Sequence, residues 1–296
     1  MSGSTAIILT GTLVAWLCGV LGVFLVLRKM SMLGDAISHA VLPGIVLAYL
    51  VSGDRSSPLL LIGAAVFGVA VTLLIEGLTR KAGMQRDASV GTSFTLFFSV
   101  GIILVSLFAS QVDIDADCVL HGEIALVPFD TWSLGNTNMG PKQISILGGS
   151  LLLVLLVLWR GYKGFYLTSF NTEYAASLGM ATMGWHYVLM SGVSLATVVS
   201  FEAVGAILVV AFLVIPPAAA WIWSKRLPEM IALTMLIGAL SAWLGYQLAR
   251  WTDSSISAGM SVAALSILIL TILVHPSTSP WKKWFGRRVI SPHKPF

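Results

Sequence analysis

The chain has 296 residues, of which 57% are hydrophobic and only 10% are charged, and its formal net charge is +4. Soluble domains carry about 25% charged residues, so this composition excludes an ordinary globular protein. Apolar runs of about 17 to 25 residues, the length that crosses a bilayer, recur along the chain. The sequence therefore predicts an all-α fold, a polytopic transmembrane helical bundle.

Nine apolar runs are predicted to span the membrane. The first is interpreted as a retained helix rather than a signal peptide, because no Lys or Arg precedes it and no cleavage site with a polar mature chain follows it. The predicted spans cover residues 6–27, 34–51, 59–79, 89–109, 144–160, 185–200, 203–223, 230–249 and 256–274.

Basic residues predict the orientation, since Lys and Arg are enriched in cytoplasmic loops. With nine spans and the N-terminus outside, 14 of the 17 Lys and Arg residues fall on the cytoplasmic side. The expected topology is therefore N-terminus outside and C-terminus cytoplasmic. Seven acidic residues fall on the outer side, where they either attract cations or are simply tolerated: Asp54, Asp113, Asp115, Asp117, Glu123, Asp130 and Asp253.

The second predicted span contains an aspartate and a histidine four residues apart, Asp35 and His39. Residues four apart differ by 40° around a helix, so both side chains can reach one ion. An acid inside an apolar span is costly and usually functional. The alternative is that Asp35 caps the helix and His39 bonds a neighbouring carbonyl. Two ligands are too few for a transition metal, and a two-fold dimer would supply a second pair.

Several other ionisable residues receive structural interpretations. Glu76 and Arg80 lie four residues apart, in the order that favours a helix ion pair. His186 lies at the cytoplasmic end of a predicted span, which favours a structural role over metal binding. The long outer joint contains ligand-type side chains whose spacing closes no known metal site, so loop structure or partner docking is the favoured role: Asp117, Cys118, His121 and Glu123.

A short amphipathic helix is predicted within "SFNTEYAASLGM", residues 169–180. Asn171 or Thr172 can cap it, Glu173 lies in its first turn, and Gly179 can end it. This helix is too short to cross a membrane. It either lies along the membrane surface or binds another protein.

The run that follows Glu202 contains two consecutive prolines, Pro216 and Pro217. Each proline removes an amide donor and frees a carbonyl one turn earlier. The pair therefore indicates either a packing kink or a break that lines a pathway. Glu202 is either an interfacial carboxylate or a metal contact near the outer end. Residues 276–296 form a basic, aromatic tail suited to anionic lipid headgroups.

Neither a G-x-x-x-x-G-K-[ST] phosphate-binding loop nor an H-E-x-x-H protease motif occurs in the sequence. The chain is therefore not expected to be an enzyme. If it is a pump, a partner must hydrolyse the ATP.

Three stretches carry a family resemblance. "SMLGDAISHAVLPG" and "FEAVGAILVVAFLVIPPAAA" are similar to the two most recognisable stretches of the permease subunits of bacterial manganese, zinc and iron ABC importers. "DADCVLHGEIALVPFD", residues 115–130, resembles the manganese-type branch. The similarity extends from about residue 10 to 275, so residues 1–275 are expected to form the permease domain.

This resemblance implies a dimer of identical or paralogous permeases, two cytoplasmic ATPase subunits that hold ATP, and an external metal-binding protein. Asp35 and His39 match the polar pair of the family's second helix, which implies contact with a transported ion rather than a permanent cofactor. The segment around 171–180 resembles the family's coupling helix, with Glu173, Ala175, Ala176 and Gly179 facing the ATPase.

Two rival functions remain. A secondary transporter driven by protons or sodium would be expected to show inverted repeats, and none is convincing. A membrane scaffold would leave the Asp35–His39 pair unexplained. The choice between manganese, zinc and iron stays open, because His and carboxylate ligands serve all three metals.

Overall fold

A computed structural model describes residues 3–30, 32–53, 58–108, 124–134 and 137–274. These residues form a helical bundle of eight long apolar helices and four short ones. The helices are α1 (Gly3–Leu27), α2 (Leu33–Ala40), α3 (Leu42–Ser52), α4 (Pro58–Arg80), α5 (Arg86–Phe108), α6 (Lys142–Arg160), α7 (Tyr162–Phe170), α8 (Thr172–Ser177), α9 (Thr182–Val204), α10 (Ala206–Trp223), α11 (Leu227–Thr252) and α12 (Ile256–Val274).

Nine helical segments within the described residues are long and apolar enough to cross a membrane. The predicted number of spans is therefore confirmed. The second span differs from the expected continuous helix, because it consists of α2 and α3 separated at Val41. Pro43 explains the break: its ring crowds the carbonyl of His39 one turn earlier, and it has no amide to donate to that carbonyl.

Helix α1 lies at the centre of the bundle and packs against α6, α9, α10 and α11. Its residues are apolar all round, as expected for a helix with protein on every side. Glycines permit the close approach of its neighbours. A Cβ added at Gly11 would collide with Met260 of α12, and one at Gly19 would collide with Thr234 of α11.

The two prolines of α10 are buried, and the helix continues through them. Pro217 cannot donate to the carbonyl of Leu213. Gly22 of α1 packs directly on this freed carbonyl, and the Leu213 side chain packs on Gly34 of α2. The freed carbonyl and the Pro217 ring thus both pack on Gly22 of α1, which favours the packing interpretation of the proline pair.

One small element departs from the expected all-helical fold. Strands β1 (Thr131–Leu134) and β2 (Thr137–Pro141) form an antiparallel pair in which Thr131 lies opposite Pro141. A single 3-10 turn, Ile124–Leu126, precedes the strands and contacts α1 and α12. The predicted tail, residues 276–296, lies outside the described residues.

Candidate functional site

Asp35 and His39 face the same side of α2, as the helical spacing predicted. Asp35 Oδ1 lies 3.6 Å from His39 Nε2. Their side chains are 52% and 30% exposed in the single chain, so neither is enclosed by the chain's own helices. The pair is therefore open to an ion or to a second protein.

The structural alternative for this pair is wrong for both residues. Met32, not Asp35, occupies the N-cap position of α2, and its side chain makes no capping hydrogen bond. His39 Nδ1 is buried and has no hydrogen-bond partner, so it does not bond a neighbouring carbonyl. A buried polar group without a partner costs about 1–3 kcal/mol. Neither side chain is thus explained by local hydrogen bonding.

Two aromatic rings of α5 hold the imidazole of His39. The rings of Phe94 and Phe98 meet it edge-on, with centroid distances of 5.6 and 5.9 Å. The two phenylalanines also stack on each other, 5.6 Å apart. This apolar wall leaves Nδ1 without a partner and keeps Nε2 on the side of Asp35. Sequence reasoning missed both rings, because a Phe-rich span is equally typical of a lipid-facing helix.

The pair lies deeper than its place in the sequence indicated. Ile37 of α2 and Ser194 of α9 lie at the same depth in the bundle, because both side chains pack against Gly68 of α4, where an added Cβ would meet them. Ser194 is twelve residues from Thr182, where α9 begins, or about 18 Å along a helix of about 35 Å. The Asp35–His39 pair, on the same short helix as Ile37, therefore lies near the middle of the span.

Glu202 does not join this pair. It lies eight residues beyond Ser194 on α9, about 12 Å further along the axis. There its carboxylate accepts a hydrogen bond of 3.3 Å from Gln143 Nε2 of α6. Across the described ranges, no three His, Cys, Asp or Glu side chains lie close enough to hold one metal ion. Asp117, Cys118, His121 and Glu123 lie outside those ranges.

Helix α8 confirms the predicted short helix and its cap. The Asn171 side chain accepts a hydrogen bond of 2.9 Å from the amide of Tyr174. Gly179 follows with a φ of 76°, a left-handed conformation that glycine adopts without strain. Glu173, Ala176 and Gly179 are exposed, whereas Ala175 is buried. The contact of these residues with an ATPase remains a prediction.

The predicted ion pair between Glu76 and Arg80 is confirmed, and it belongs to a larger cluster. The Glu76 carboxylate is nearly buried; its Oε2 also lies 3.1 Å from His186 Nε2 and 3.6 Å from Arg86 Nη2. Arg28 Nη1 donates to His186 Nδ1 over 3.3 Å. An arginine only donates, so His186 Nδ1 accepts and Nε2–H donates to Glu76. This neutral histidine links two charged groups, which is a structural role.

The sequence as a whole matches one protein family. The model of the ABC 3 transport family matches residues 4–275. The manganese transport system membrane protein MntD of Bacillus subtilis is 45% identical over 261 residues, which cover 88% of each chain. The zinc transport system membrane protein TroD of Treponema pallidum is 37% identical over 275 residues, 91% of this chain and 73% of the relative.

A solved structure has the same architecture over nearly the whole chain. PsaBC from Streptococcus pneumoniae, determined in complex with a Fab, superposes with a TM-score of 0.78. The two sequences are 28% identical, and the superposition covers 96% of each chain. The likeness therefore extends through all of the helices described above.

Proposed function

Because this chain belongs to the ABC 3 transport family, we propose that it moves a divalent transition metal ion into the cell with energy from ATP held by a partner. It is a multi-pass permease of the bacterial inner membrane, related to manganese and zinc transport proteins. The family's permeases have no ATPase site of their own. Hydrolysis is therefore assigned to separate cytoplasmic subunits.

The observation that carries the proposal is the Asp35–His39 pair. Its two ligand atoms are 3.6 Å apart, near mid-depth, and no other side chain of the described chain neutralises Asp35. A carboxylate and an imidazole suit manganese and zinc alike. We place manganese first and zinc second, because the relatives MntD and TroD are named for these metals.

Two protein ligands bind a transition metal only weakly, since such ions take four to six. The half-open pair on α2 leaves room for a second permease to bring its own pair to the same ion. Two carboxylates and two imidazoles would then hold the metal without thiolates. Such a site binds an ion in passage and releases it again. Glu202, about four-fifths of the way from this depth to the far end of α9, is proposed as an earlier contact.

The proposed orientation places the N-terminus outside and α8 at the cytoplasmic face. The basic residues Arg28, Arg80 and Arg86 gather at the same end of the bundle as α7, which precedes α8. That end is therefore assigned to the ATPase subunits, with Glu173, Ala175, Ala176 and Gly179 as their contacts. The opposite end would receive metal from an extracytoplasmic binding protein, and Asp117, Cys118, His121 and Glu123 are the candidate contacts there.

Reconstitution in proteoliposomes tests this function. Manganese uptake is expected only when the chain is co-reconstituted with its ATPase subunits, a delivery protein and ATP on the ATPase side. An ATPase variant that binds but does not hydrolyse ATP is the control. Manganese accumulation by the chain alone, driven by a proton or sodium gradient, would instead identify a secondary transporter and contradict the proposal.

A substitution at Gly179 tests the proposed ATPase contact. Gly179→Trp is expected to reduce uptake at least about tenfold while ATP hydrolysis continues, because the indole blocks insertion of this turn. Gly53→Trp is the matched control, since Gly53 at the end of α3 has a similar φ of 66° and no atom of the described residues within 4 Å of an added Cβ. Equal uptake by the two variants would remove α8 from the coupling role.

A further inference from the structure

A basic cavity opens at the end of the bundle that carries α7 and α8. Its volume is about 300 Å³, and its walls come from the ends of α1 and α4 and the beginnings of α5 and α9. Four cationic side chains line it: Arg28, Lys29, Arg80 and Arg86. The Asp35–His39 pair does not belong to this wall. The end of α7 and Thr172, the first residue of α8, do, but Glu173, Ala175, Ala176 and Gly179 do not.

Two acidic residues near the cavity, Glu76 and Asp87, stand against its four cationic residues; Asp87 lines a small adjoining pocket with Lys29 and Arg86. Glu76 contacts Arg80 and Arg86, so one carboxylate serves two arginines. Arg28 donates only to neutral groups: Ser169 over 3.1 Å, Thr168 over 2.8 Å and the His186 ring. Across the described ranges it has no carboxylate within ion-pair distance. Burial, together with the nearby Arg86, lowers the pKa of Arg28 to about 10. The cavity thus holds cations in excess.

Lys29 occupies a backbone position that favours glycine. The chain leaves α1 in a Schellman turn, in which Lys29 N donates to Val26 O over 3.0 Å and Met30 N donates to Leu25 O over 2.9 Å. Lys29 has a φ of 57° there, a conformation that a residue with a Cβ adopts at a cost. A lysine at this position lowers helix-end stability but adds a cationic residue to the cavity lining.

The cavity also offers hydrogen-bond donors suited to an oxyanion. Ser169 and Thr182 contribute hydroxyl groups to its wall. The first turns of the long helices α5 and α9 begin at Arg86 and Thr182, and the free amides of a helix N-terminus favour negative charge. Arginine forks, a lysine and hydroxyls together are the donor set that recognises phosphate.

We propose that this cavity is a binding site for a phosphate group. The group belongs either to a soluble phosphate or to the headgroup of an anionic phospholipid. The volume admits a phosphate and a small substituent but no folded protein element. A single acidic side chain of an ATPase subunit would engage only part of the cation excess, so a phosphate group is the better fit. Because Thr168 and Ser169 lie in the last turn of α7 and Thr172 begins α8, a bound phosphate would tie α1 to the start of α8.

Lys29→Gly gives a test that does not depend on damaging the fold, because glycine suits the left-handed backbone at this position. The purified full-length chain is titrated with inorganic phosphate, against chloride at equal ionic strength, and the thermal unfolding midpoint is recorded. In a second arm, phosphatidylglycerol is compared with phosphatidylcholine. The control is Lys81→Gly, which removes an exposed lysine outside the cavity at the same end.

The wild-type chain and Lys81→Gly are expected to be stabilised, and Lys29→Gly to need about tenfold more ligand for the same shift. Stabilisation by inorganic phosphate identifies a soluble ligand, and stabilisation by phosphatidylglycerol alone identifies a lipid; either supports the proposal. Equal shifts in wild type and Lys29→Gly, or no shift in wild type, would overturn it. So would a Lys29→Gly variant that loses only its co-purification with the ATPase.

Discussion

Two carboxylates within the apolar helices of this bundle have opposite surroundings. Glu76 is 4% exposed and contacts Arg80, Arg86 and His186. Asp35 is half exposed, and its one ion-pair contact within the described residues is His39, 3.6 Å away. Burying a carboxylate is tolerable when its charge is compensated, which is the case for Glu76. Asp35 has one neighbouring imidazole and an exposed side, an arrangement that suits the proposed binding of a transported cation.

The two histidines differ in the same way. Both ring nitrogens of His186 have partners, Arg28 on one side and Glu76 on the other. His39 has one buried nitrogen without a partner and one that faces Asp35. A satisfied network stabilises one geometry, whereas an unsatisfied pair is available for binding. The comparison therefore distinguishes a structural cluster from the proposed transport site.

The largest expected effect is the loss of transport when Asp35 or His39 is replaced. Asp35→Ala and His39→Ala are expected to lower manganese uptake at least about tenfold, because each removes one of the few ligands of the ion. Membrane abundance should remain near that of the wild type, since neither side chain is enclosed. The assay is initial uptake by the complete transporter, normalised to membrane abundance.

Ser38→Ala is the matched control for that pair. Ser38 lies between the two residues on α2, but its hydroxyl donates to Gly34 O over 2.9 Å and is buried in protein. It is expected to leave uptake unchanged. Normal transport by either Asp35→Ala or His39→Ala would remove the pair from the pathway. Asp35 and Glu76 would then no longer represent a transport role and a structural role.

Glu76→Ala is expected to act on stability instead. Removing the carboxylate leaves Arg86 and His186 without their shared acceptor, and breaking a buried ion pair costs about 3–5 kcal/mol. We expect lower membrane abundance and a lower unfolding midpoint in detergent. A Glu76→Ala protein that is normally abundant but inactive would place Glu76 in transport, and the two carboxylates would no longer represent different roles.

Local sequence patterns were sufficient for much of this molecule. The nine spans and the Asn171 cap of α8 follow from hydropathy and capping, which are properties of neighbouring residues. The shared face of Asp35 and His39 follows from helical spacing alone. The break before Pro43 was not predicted, although proline chemistry implies it, because hydropathy continues unchanged through it.

Features that depend on distant contacts were beyond the sequence. The mid-depth position of α2 results from the packing of Gly34 on Leu213 of α10 and of Gly68 between Ile37 and Ser194. The cluster at Glu76 likewise brings Arg86 and His186 together from separate helices. A single sequence contains no signal for which distant helices meet, so neither arrangement could be derived from it.

The smallest predicted effect concerns the aromatic wall beside His39, which consists of Phe94 and Phe98. Phe98→Leu keeps the position apolar but removes the ring edge beside His39. An aromatic contact contributes about 0.5–1.5 kcal/mol beyond its area, so uptake at low manganese is expected to fall about two- to tenfold. The reason is that a looser imidazole spends less time in the geometry that binds the ion with Asp35. Phe94→Leu should have a similar effect, since its ring lies at nearly the same distance.

The adjacent residue supplies the control that makes this small effect interpretable. Phe97 lies beside Phe98 on α5, but its ring meets Phe67 of α4 at 5.9 Å instead of His39. Phe97→Leu therefore removes a comparable aromatic contact without touching the imidazole. Initial uptake rates measured across manganese concentrations should show a raised apparent KM for Phe98→Leu and an unchanged one for Phe97→Leu. If both variants shifted KM alike, the wall would merely hold α5 in place, and the unpartnered nitrogen of His39 would need another explanation.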